Sequence, residues 1–174
     1  MYYIKLAASM RFSRDILLHS IKSDTYKTTK ILPKTHNFDN TLPTDIKQQA
    51  DIILKDTYNF SFIGMPIPLE ELDLGKRLVE KIKNFLMELG EGFSFMGNQY
   101  RLHSKETDCF VDLLFFNRNL KCLIAIELKI GQFKPEYVGK MNFYLGLLDD
   151  QVKKADENPS IGIILCADKR QCEC

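Results

Sequence analysis

The stretch FVDLLFFNRNLKCLIAIELKI most constrains the fold, because charged residues interrupt two apolar runs that are otherwise typical of buried strands. The Arg-Asn pair at 118–119 separates the runs and predicts a tight turn, so we expect a β-hairpin over 107–130. Asp112 lies inside the first run, and Glu127 and Lys129 lie inside the second. Burying a charged group is costly unless the group is paired, so these three positions need a chemical explanation.

Strand alternation predicts that the three charged side chains come together. Glu127 and Lys129 are two residues apart and share a face of their strand, whereas Leu128 projects oppositely, into the core. Folding the hairpin about its turn pairs Asp112 with a residue near 125, next to Glu127. The two carboxylates and the ammonium are therefore expected on one patch of the sheet.

A divalent cation would explain why two carboxylates lie close together, since it removes their mutual repulsion. Mg²⁺, or Mn²⁺ in its place, prefers oxygen ligands, so Asp112, Glu127 and the carbonyl of Leu128 are candidate ligands. Such an ion would polarise a scissile phosphate and lower the pKa of an attacking water. Lys129 would orient that water or stabilise charge on the phosphate. The pattern favours phosphodiester hydrolysis.

A purely structural interpretation remains open for the same residues. E-x-K is common on solvated strand faces, and Asp112 could cap a sheet edge. Burying all three charges without a function would require a paired network. The placement of Asp112 after the apolar residues CFV and before LLFF, with E-x-K in the partner strand, favours the metal site.

The remaining periodicities predict the order of elements around the hairpin. Helical spacing of apolar residues begins near 69 and stops at Gly90, and a strand follows over 92–102. Pro135 suits the first turn of another helix, and 158–168 reads as a last strand. The order α-β-β-β-α-β predicts an α/β fold, a mixed sheet with helices on its faces.

The N-terminal part predicts a short helical extension. Residues 1–30 carry a weak apolar helical face, and the polar segment with Pro33 and Pro43 is typical of a linker. We expect residues 1–60 to form this extension and linker, and residues 61–174 to form the main domain.

Composition excludes several classes of protein. The net charge of +1 over 174 residues gives no global electrostatic basis for binding nucleic acid, so any basic surface must be local. The five cysteines lack the spacing of a disulfide scaffold, and the three histidines lack metal-ligand spacing. Reduced cysteines and the lack of a signal-peptide pattern fit a reducing cytoplasm, so we expect a cytoplasmic protein. The apolar runs are too short to span a bilayer, so we expect no membrane partner.

Three motifs together cover nearly all of residues 70–168: FLMELGEGFSFMGNQYRL, VDLLFFNRNLKCLIAIELKIGQFKPEYVGKMNFYL and NPSIGIILC. They resemble the bacterial YhcG-like family of the PD-(D/E)xK nuclease superfamily. The resemblance implies a restriction-endonuclease-like fold and metal-dependent cleavage of nucleic acid, with DNA as the expected substrate.

The resemblance also implies roles for single residues. Asp112 matches the metal-binding aspartate, Glu127 the second acid and Lys129 the catalytic lysine. Tyr144 matches the tyrosine of a Q-x3-Y motif seen in related nucleases. The glutamine of that motif falls at Lys140, and this departure leaves an auxiliary, phosphate-contacting role for the lysine.

Further auxiliary residues are expected on neighbouring elements. Gln99 and Arg101 occupy positions similar to those of the family and could point toward the site. Many members of the superfamily use an acid on the first helix, and Glu71, Asp73 and Glu80 are the candidates here. The sequence does not choose among them.

Partners follow from the resemblance alone. Members of the family usually carry a longer N-terminal helical domain, so the chain resembles a member truncated at its N-terminus. A homodimer and partner proteins in defence or mobile elements fit the family.

Two other functions are compatible with the same residues. The domain could be a catalytically inactive nucleic-acid-binding or assembly module that keeps the nuclease fold. It could also be a metal-independent interaction domain in which Asp112 and Lys129 form an ion pair. Aromatic residues at strand and helix periods, such as Phe115 and Phe143, are expected in the core instead of serving as base-stacking platforms.

Overall fold

The computed structural model describes residues 1–10, 14–22, 24, 26, 38, 42–54, 58, 71–104 and 107–167. Contacts divide the chain into two units, one of Met1–Phe62 with Ile82–Phe93 and one of Ile63–Lys81 with Ser94–Cys174. The division at residues 60 and 61 that the sequence suggests stays a prediction. Pro33, in the expected linker, lies outside the described residues.

Helices and strands follow one another in the expected order. The elements among the described residues are α1 (Tyr2–Met10), α2 (Arg14–Lys22), α3 (Thr44–Ile53), α4 (Glu71–Glu80), α5 (Ile82–Leu89), β1 (Phe93–His103), β2 (Asp108–Asn117), β3 (Cys122–Ile130), α6 (Glu136–Gln151) and β4 (Ile161–Ala167). The single helix expected from residue 69 to Gly90 is thus divided at Lys81 into α4 and α5. None of the helices described here is long and apolar enough to cross a membrane.

In the first unit, α2 and α5 pack together through a polar contact. Nε2 of His19 lies 2.6 Å from Oε2 of Glu88, and Glu88 is buried. Phe85 and Leu89 on the same helix are also buried, so α5 carries one buried face with a paired carboxylate in it.

The second unit contains a four-stranded sheet in the order β1-β2-β3-β4. Strands β2 and β3 are antiparallel, and β3 and β4 are parallel. The crossover helix α6 makes the parallel connection, since parallel neighbours need a long link between them. The predicted α/β fold with a mixed sheet is confirmed.

Helices cover both faces of this sheet. Leu123 and Ala125 of β3 form a buried cluster with Met141 and Leu148 of α6. On the opposite face, a Cβ placed on Gly75 of α4 would lie 3.8 Å from Cδ1 of Leu128. Odd-numbered residues of β3 therefore face α6, and even-numbered residues face α4.

One glycine sets how closely α6 approaches the sheet. A Cβ on Gly162 of β4 would lie 2.4 Å from Cγ and 2.5 Å from Sδ of Met141, closer than packed atoms approach. Gly162 pairs with Ala125 of β3, so the close approach lies directly beside the strand that carries the E-x-K residues.

The turn of the hairpin is longer than expected and changes the register. Residues 118–121 connect the two strands, and Oδ1 of Asn117 accepts hydrogen bonds from the backbone N–H groups of Asn119 and Leu120. The pairing runs from Asn117–Cys122 to Leu113–Ile126. One further step sets Asp112 opposite Glu127, so the expectation of a partner near 125 was wrong by two residues.

Candidate active site

Strand β3 carries two charged side chains into the sheet on the face that α6 covers. Glu127 and Lys129 have the same parity as Ala125, which packs against α6. Glu127 is 4% exposed and Lys129 is 9% exposed. The strand therefore buries an acid and a base side by side, and each requires a partner.

Asp112 is bound through both of its carboxylate oxygens. Oδ2 accepts a hydrogen bond of 2.9 Å from the backbone N–H of Leu128, and Oδ1 accepts one of 2.9 Å from Nε2 of Gln99. A side chain thus takes the place of a backbone acceptor between β2 and β3. This bond fixes the carboxylate of Asp112 beside the backbone that joins Glu127 to Lys129.

Asp112 shares this face with Leu114, which lies two residues further along β2 and belongs to the buried cluster that faces α6. Val111 belongs to the same cluster although it is three residues before Leu114, so the regular alternation of β2 is interrupted between them. Irregularities of this kind in strands are typical beside active sites.

Gln99 holds its hydrogen bond to Asp112 from a strained backbone position. Its φ is +47°, in the left-handed region that residues other than glycine seldom adopt, although it lies within β1. Strained residues concentrate at functional sites, where the surroundings hold them in place. The structure therefore brings this predicted auxiliary residue to Asp112.

Two ammonium groups meet one oxygen of Glu127. Nζ of Lys140 lies 2.9 Å from Oε1, and Nζ of Lys129 lies 3.6 Å from the same atom. Nζ of Lys140 also lies 5.1 Å from the centre of the Tyr144 ring. Lys140 and Tyr144, which the sequence matches to the Q-x3-Y motif, thus both lie near Glu127 of β3.

Burial and neighbouring groups shift the pKa values of Glu127, Lys140 and Tyr144. Burial raises the pKa of Glu127, and the charge of Asp112 raises it further, while the hydrogen bond from Lys140 works against the shift. Burial opposes the charge on Lys140, yet its bonds to Glu127 and Tyr144 outweigh burial and raise the pKa of the ammonium. Burial also raises the pKa of Tyr144. Lys140 therefore stays charged at neutral pH and compensates Glu127.

The donor set of the site fits a hard divalent cation. Oε2 of Glu127 is buried and has no hydrogen-bond partner among the described residues. Such an orphaned oxygen needs an explanation, and a cation supplies one. Together with Asp112 and the carbonyl of Leu128 it offers the oxygen ligands that Mg²⁺ prefers. Among the described residues, no three His, Cys, Asp or Glu side chains form a group that could hold a metal ion.

The carbonyl of Leu128 has a second contact within the site. Nζ of Lys129 donates a hydrogen bond of 2.9 Å to it. The ammonium of Lys129 therefore contacts both the Leu128 carbonyl and Glu127. A cation bound at this site would share these two ligands with the ammonium.

The second auxiliary residue expected on β1 has a different contact. The guanidinium of Arg101 binds the carboxylate of Asp108, and Nδ1 of His103 lies 3.1 Å from the same carboxylate. The hydrogen bond from Arg101 lowers the pKa of Asp108, and His103 adds to the effect. Arg101 is thus directed to Asp108, whereas Gln99 reaches Asp112.

These contacts do not identify which acid of the first helix belongs to the site. Glu80 of α4 is exposed. The side chains of Glu71 and Asp73 lie outside the described residues. The contribution of one of these acids stays a prediction.

Sequence reasoning missed an aromatic pair beside the lysine of β3. Nζ of Lys129 lies 5.8 Å from the centre of the Tyr137 ring, and Phe133 meets that ring edge-on at 6.3 Å. The signal was present in GQFKPEY, where two aromatic residues directly follow the E-x-K strand. Phe115 is buried as expected, but Phe143 is 50% exposed, so the expectation that it belongs to the core was wrong.

Comparison with known proteins gives a family match over the same region. The family model described as the YhcG PDDEXK nuclease domain matches residues 51–174. A curated relative, "Putative nuclease YhcG" of Escherichia coli (strain K12), is 38% identical over 124 residues, which cover 71% of this chain and 32% of the relative. The chain therefore spans about a third of the length of that relative.

A solved structure shows a more distant similarity. The crystal structure of a repair endonuclease from Pyrococcus abyssi aligns with a TM-score of 0.42 and 15% identity, covering 63% of this chain and 43% of that one. The family match covers the hairpin, the crossover helix and β4, and with them Asp112, Glu127 and Lys129. The chain belongs to the YhcG PDDEXK nuclease domain family.

Proposed function

We propose that the domain hydrolyses phosphodiester bonds in DNA with the aid of Mg²⁺ or Mn²⁺. The observation that carries the proposal is the buried oxygen Oε2 of Glu127, which lacks a hydrogen-bond partner among the described residues. Asp112 and Lys129, the two other charged residues of the motif, lie beside Glu127. A carboxylate oxygen left without a donor in a buried, polar site is suited to a cation.

Each motif residue has a separate task in this proposal. Asp112, Glu127 and the carbonyl of Leu128 hold the cation, which when bound polarises the scissile phosphate and acidifies the attacking water. The ammonium of Lys129 lies 2.9 Å from the Leu128 carbonyl. A water bound beside this carbonyl would be within reach of the ammonium. Lys129 orients that water and stabilises negative charge as it develops on the phosphate.

The surrounding residues keep the motif in position. Gln99 holds one oxygen of Asp112 and so limits the rotation of this carboxylate. Lys140 holds Oε1 of Glu127, which leaves Oε2 for the cation. The side chain of Lys140 is 47% exposed, so its ammonium is also open to a phosphate oxygen of the substrate.

Other parts of the proposal concern the setting of the domain. We propose that it acts in the bacterial cytoplasm, as a homodimer, with partners in defence or mobile elements. The main domain is taken as residues 61–174, with residues 1–60 as a helical extension and linker. Size-exclusion chromatography with light scattering measures the oligomeric state directly.

The decisive experiment is cleavage of supercoiled plasmid DNA by the purified chain with Mg²⁺, with Mn²⁺ and with EDTA. Nicking is expected with either metal and is lost in Asp112→Asn and Lys129→Ala. Lys83→Ala is the matched control, because Lys83 is an exposed lysine of α5 that has no part in the proposed site, and it should cleave normally. Nicking that survives in both motif variants would refute the assignment of the site.

Melting temperature separates the alternatives if no nicking occurs. A ligand that binds only the native state must stabilise it, so Mg²⁺ or Mn²⁺ is expected to raise the melting temperature of the chain but not that of Asp112→Asn. A metal-dependent rise without cleavage would favour an inactive nucleic-acid-binding or assembly module. No rise and no cleavage would favour a metal-independent interaction domain.

A further inference from the structure

A half-exposed phenylalanine is joined to the lysine of the motif through a tyrosine. Phe133 is 51% exposed and follows β3 directly. Its ring meets that of Tyr137 edge-on, with centres 6.3 Å apart. The ring of Tyr137 in turn lies 5.8 Å from Nζ of Lys129. An exposed aromatic face therefore lies two contacts from the ammonium of the site.

The same arrangement recurs at the other lysine of the site. Phe143 is 50% exposed, and its ring centre lies 6.5 Å from that of Tyr144. Nζ of Lys140 lies 5.1 Å from the Tyr144 ring and binds Glu127. The lysines of both Phe-Tyr-Lys groups thus contact the carboxylate of Glu127. The phenylalanine of each group is half-exposed.

Exposure of one phenylalanine is ordinary, but this pattern combines exposed rings with lysine side chains that remain half-exposed beside their carboxylate partners. The side chain of Lys140 is 47% exposed and that of Lys134, next to Phe133, is 62% exposed. Aromatic faces interleaved with lysines are what a protein uses to bind a single nucleic-acid strand, because every base has a face to stack and every nucleotide a phosphate.

We infer that Phe133 and Phe143 stack on unpaired bases next to the scissile phosphate, so that the preferred substrate of this domain is single-stranded nucleic acid. The inference rests on the proposed function for the position of that phosphate. In an intact duplex both faces of each base are covered by neighbouring bases, and a side chain reaches them only after unstacking. The two phenylalanines therefore form a specificity-determining surface, which selects strands that are already open.

Equilibrium binding in EDTA tests the inference without requiring cleavage. Fluorescence anisotropy would compare single-stranded DNA of about 20 nucleotides, RNA of the same sequence and the corresponding DNA duplex. Wild type is expected to bind single strands more tightly than duplex, and Phe133→Ala and Phe143→Ala are each expected to weaken single-strand binding about tenfold. The DNA and RNA arms show which sugar the surface accepts.

Phe110→Ala is the matched control. Phe110 is 44% exposed on β2, and its neighbours Cys109 and Val111 pack toward α6, so its own side chain faces away from that helix. This variant is expected to bind single strands like wild type. Circular dichroism and melting temperature check that all variants fold, which half-exposed positions should allow.

A second variant reports stacking directly. The chain has no tryptophan, so Phe133→Trp places one tryptophan at the proposed surface, whose emission lies at longer wavelength than that of the seven tyrosines. Stacking on a base is expected to quench its emission when single-stranded DNA is added, and quenching should be absent with an oligonucleotide that is abasic throughout. Emission that is unchanged at saturating single-stranded DNA overturns the inference.

The outcomes distinguish this inference from the proposed function. Weakened binding in both phenylalanine variants, with no cleavage by wild type, supports the stacking surface and refutes the nuclease proposal. Cleavage by wild type together with unchanged binding in both variants leaves the nuclease proposal intact and overturns the stacking surface. A shift in oligomeric state with unchanged DNA binding also overturns it, in favour of contact with a second copy of the chain.

Discussion

Nζ of Lys140 lies 2.9 Å from Oε1 of Glu127, which joins the crossover helix to the strand of the nuclease motif. The lysine adds a positive charge to a buried carboxylate that also faces Asp112 and Lys129. The charge balance of the motif therefore depends on a residue of α6, outside the motif itself.

The first prediction concerns the pH dependence of this pair. Because burial raises the pKa of Glu127 in the folded chain, ionisation of Glu127 weakens the fold as pH rises through that pKa, and Lys140 offsets the loss. Lys140→Met is expected to match the stability of wild type at about pH 4 and to be less stable by ~1 kcal/mol at about pH 8. The expected difference is small because Lys140 is half-exposed and solvent screens its charge. Urea unfolding at both pH values measures the difference.

The control for this experiment is Lys134→Met, which removes an exposed lysine paired with exposed Glu136. Exposed ion pairs contribute little, so its stability should follow wild type at both pH values. A loss in Lys140→Met that is equal at low and high pH would mean that the lysine stabilises the fold through packing, not through Glu127.

The second prediction separates the structural role of Asp112 from its chemistry. Asp112→Ala leaves the buried N–H of Leu128 without its acceptor, which is expected to cost ~1–3 kcal/mol. Asp112→Asn keeps a carbonyl oxygen for that N–H and should remain close to wild type in stability, although both variants lose cleavage. Thermal and urea unfolding check the difference, and equal stability of the two variants would contradict the bond to Leu128.

The third prediction concerns the strained backbone of Gln99. Gln99→Ala and Gln99→Gly both lose the bond to Asp112, but only glycine adopts a φ of +47° without strain. The glycine variant is therefore expected to be more stable than the alanine variant by ~1 kcal/mol. Met96 of the same strand has ordinary backbone geometry, so there the order of glycine and alanine should be reversed.

The fourth prediction concerns the contact between α6 and β4. Gly162→Ala places a methyl group 2.4 Å from Cγ of Met141, so the fold is expected to lose ~1–3 kcal/mol. Gly146 lies on α6, and a methyl group placed there would meet no atom within 4 Å. Gly146→Ala should therefore stabilise the fold by ~0.5–1 kcal/mol through helix propensity. Combining Gly162→Ala with Met141→Ala tests the contact, since the loss caused by the new methyl group should shrink when Met141 is absent.

Most of the fold could be predicted because its signals are local. The apolar runs on either side of residues 118–121 gave the hairpin, and Pro135 gave the start of α6. The alternation of β3 placed Glu127 and Lys129 on one face, and β3 has no irregularity that would change this. These features follow from residues within a few positions of one another.

The parts of the site that escaped prediction depend on backbone geometry that no residue type specifies. Nothing in the order of residues 111–114 shows that Val111 departs from the alternation of the strand, and the turn of four residues moved the register by two. The pairing of Lys140 with Glu127 requires α6 to cross β3 at a distance that Gly162 permits. Tertiary packing sets all three.

The hydrogen bond between Asp112 and the N–H of Leu128 gives the site a spectroscopic consequence. The proton of that amide is shared with a carboxylate that would also hold the cation, so its chemical shift and its exchange with solvent deuterium depend on the charge at Asp112. One backbone resonance in a buried strand should therefore move when metal is added, before any substrate is present. Occupancy of the site by metal thus becomes measurable without any cleavage of substrate.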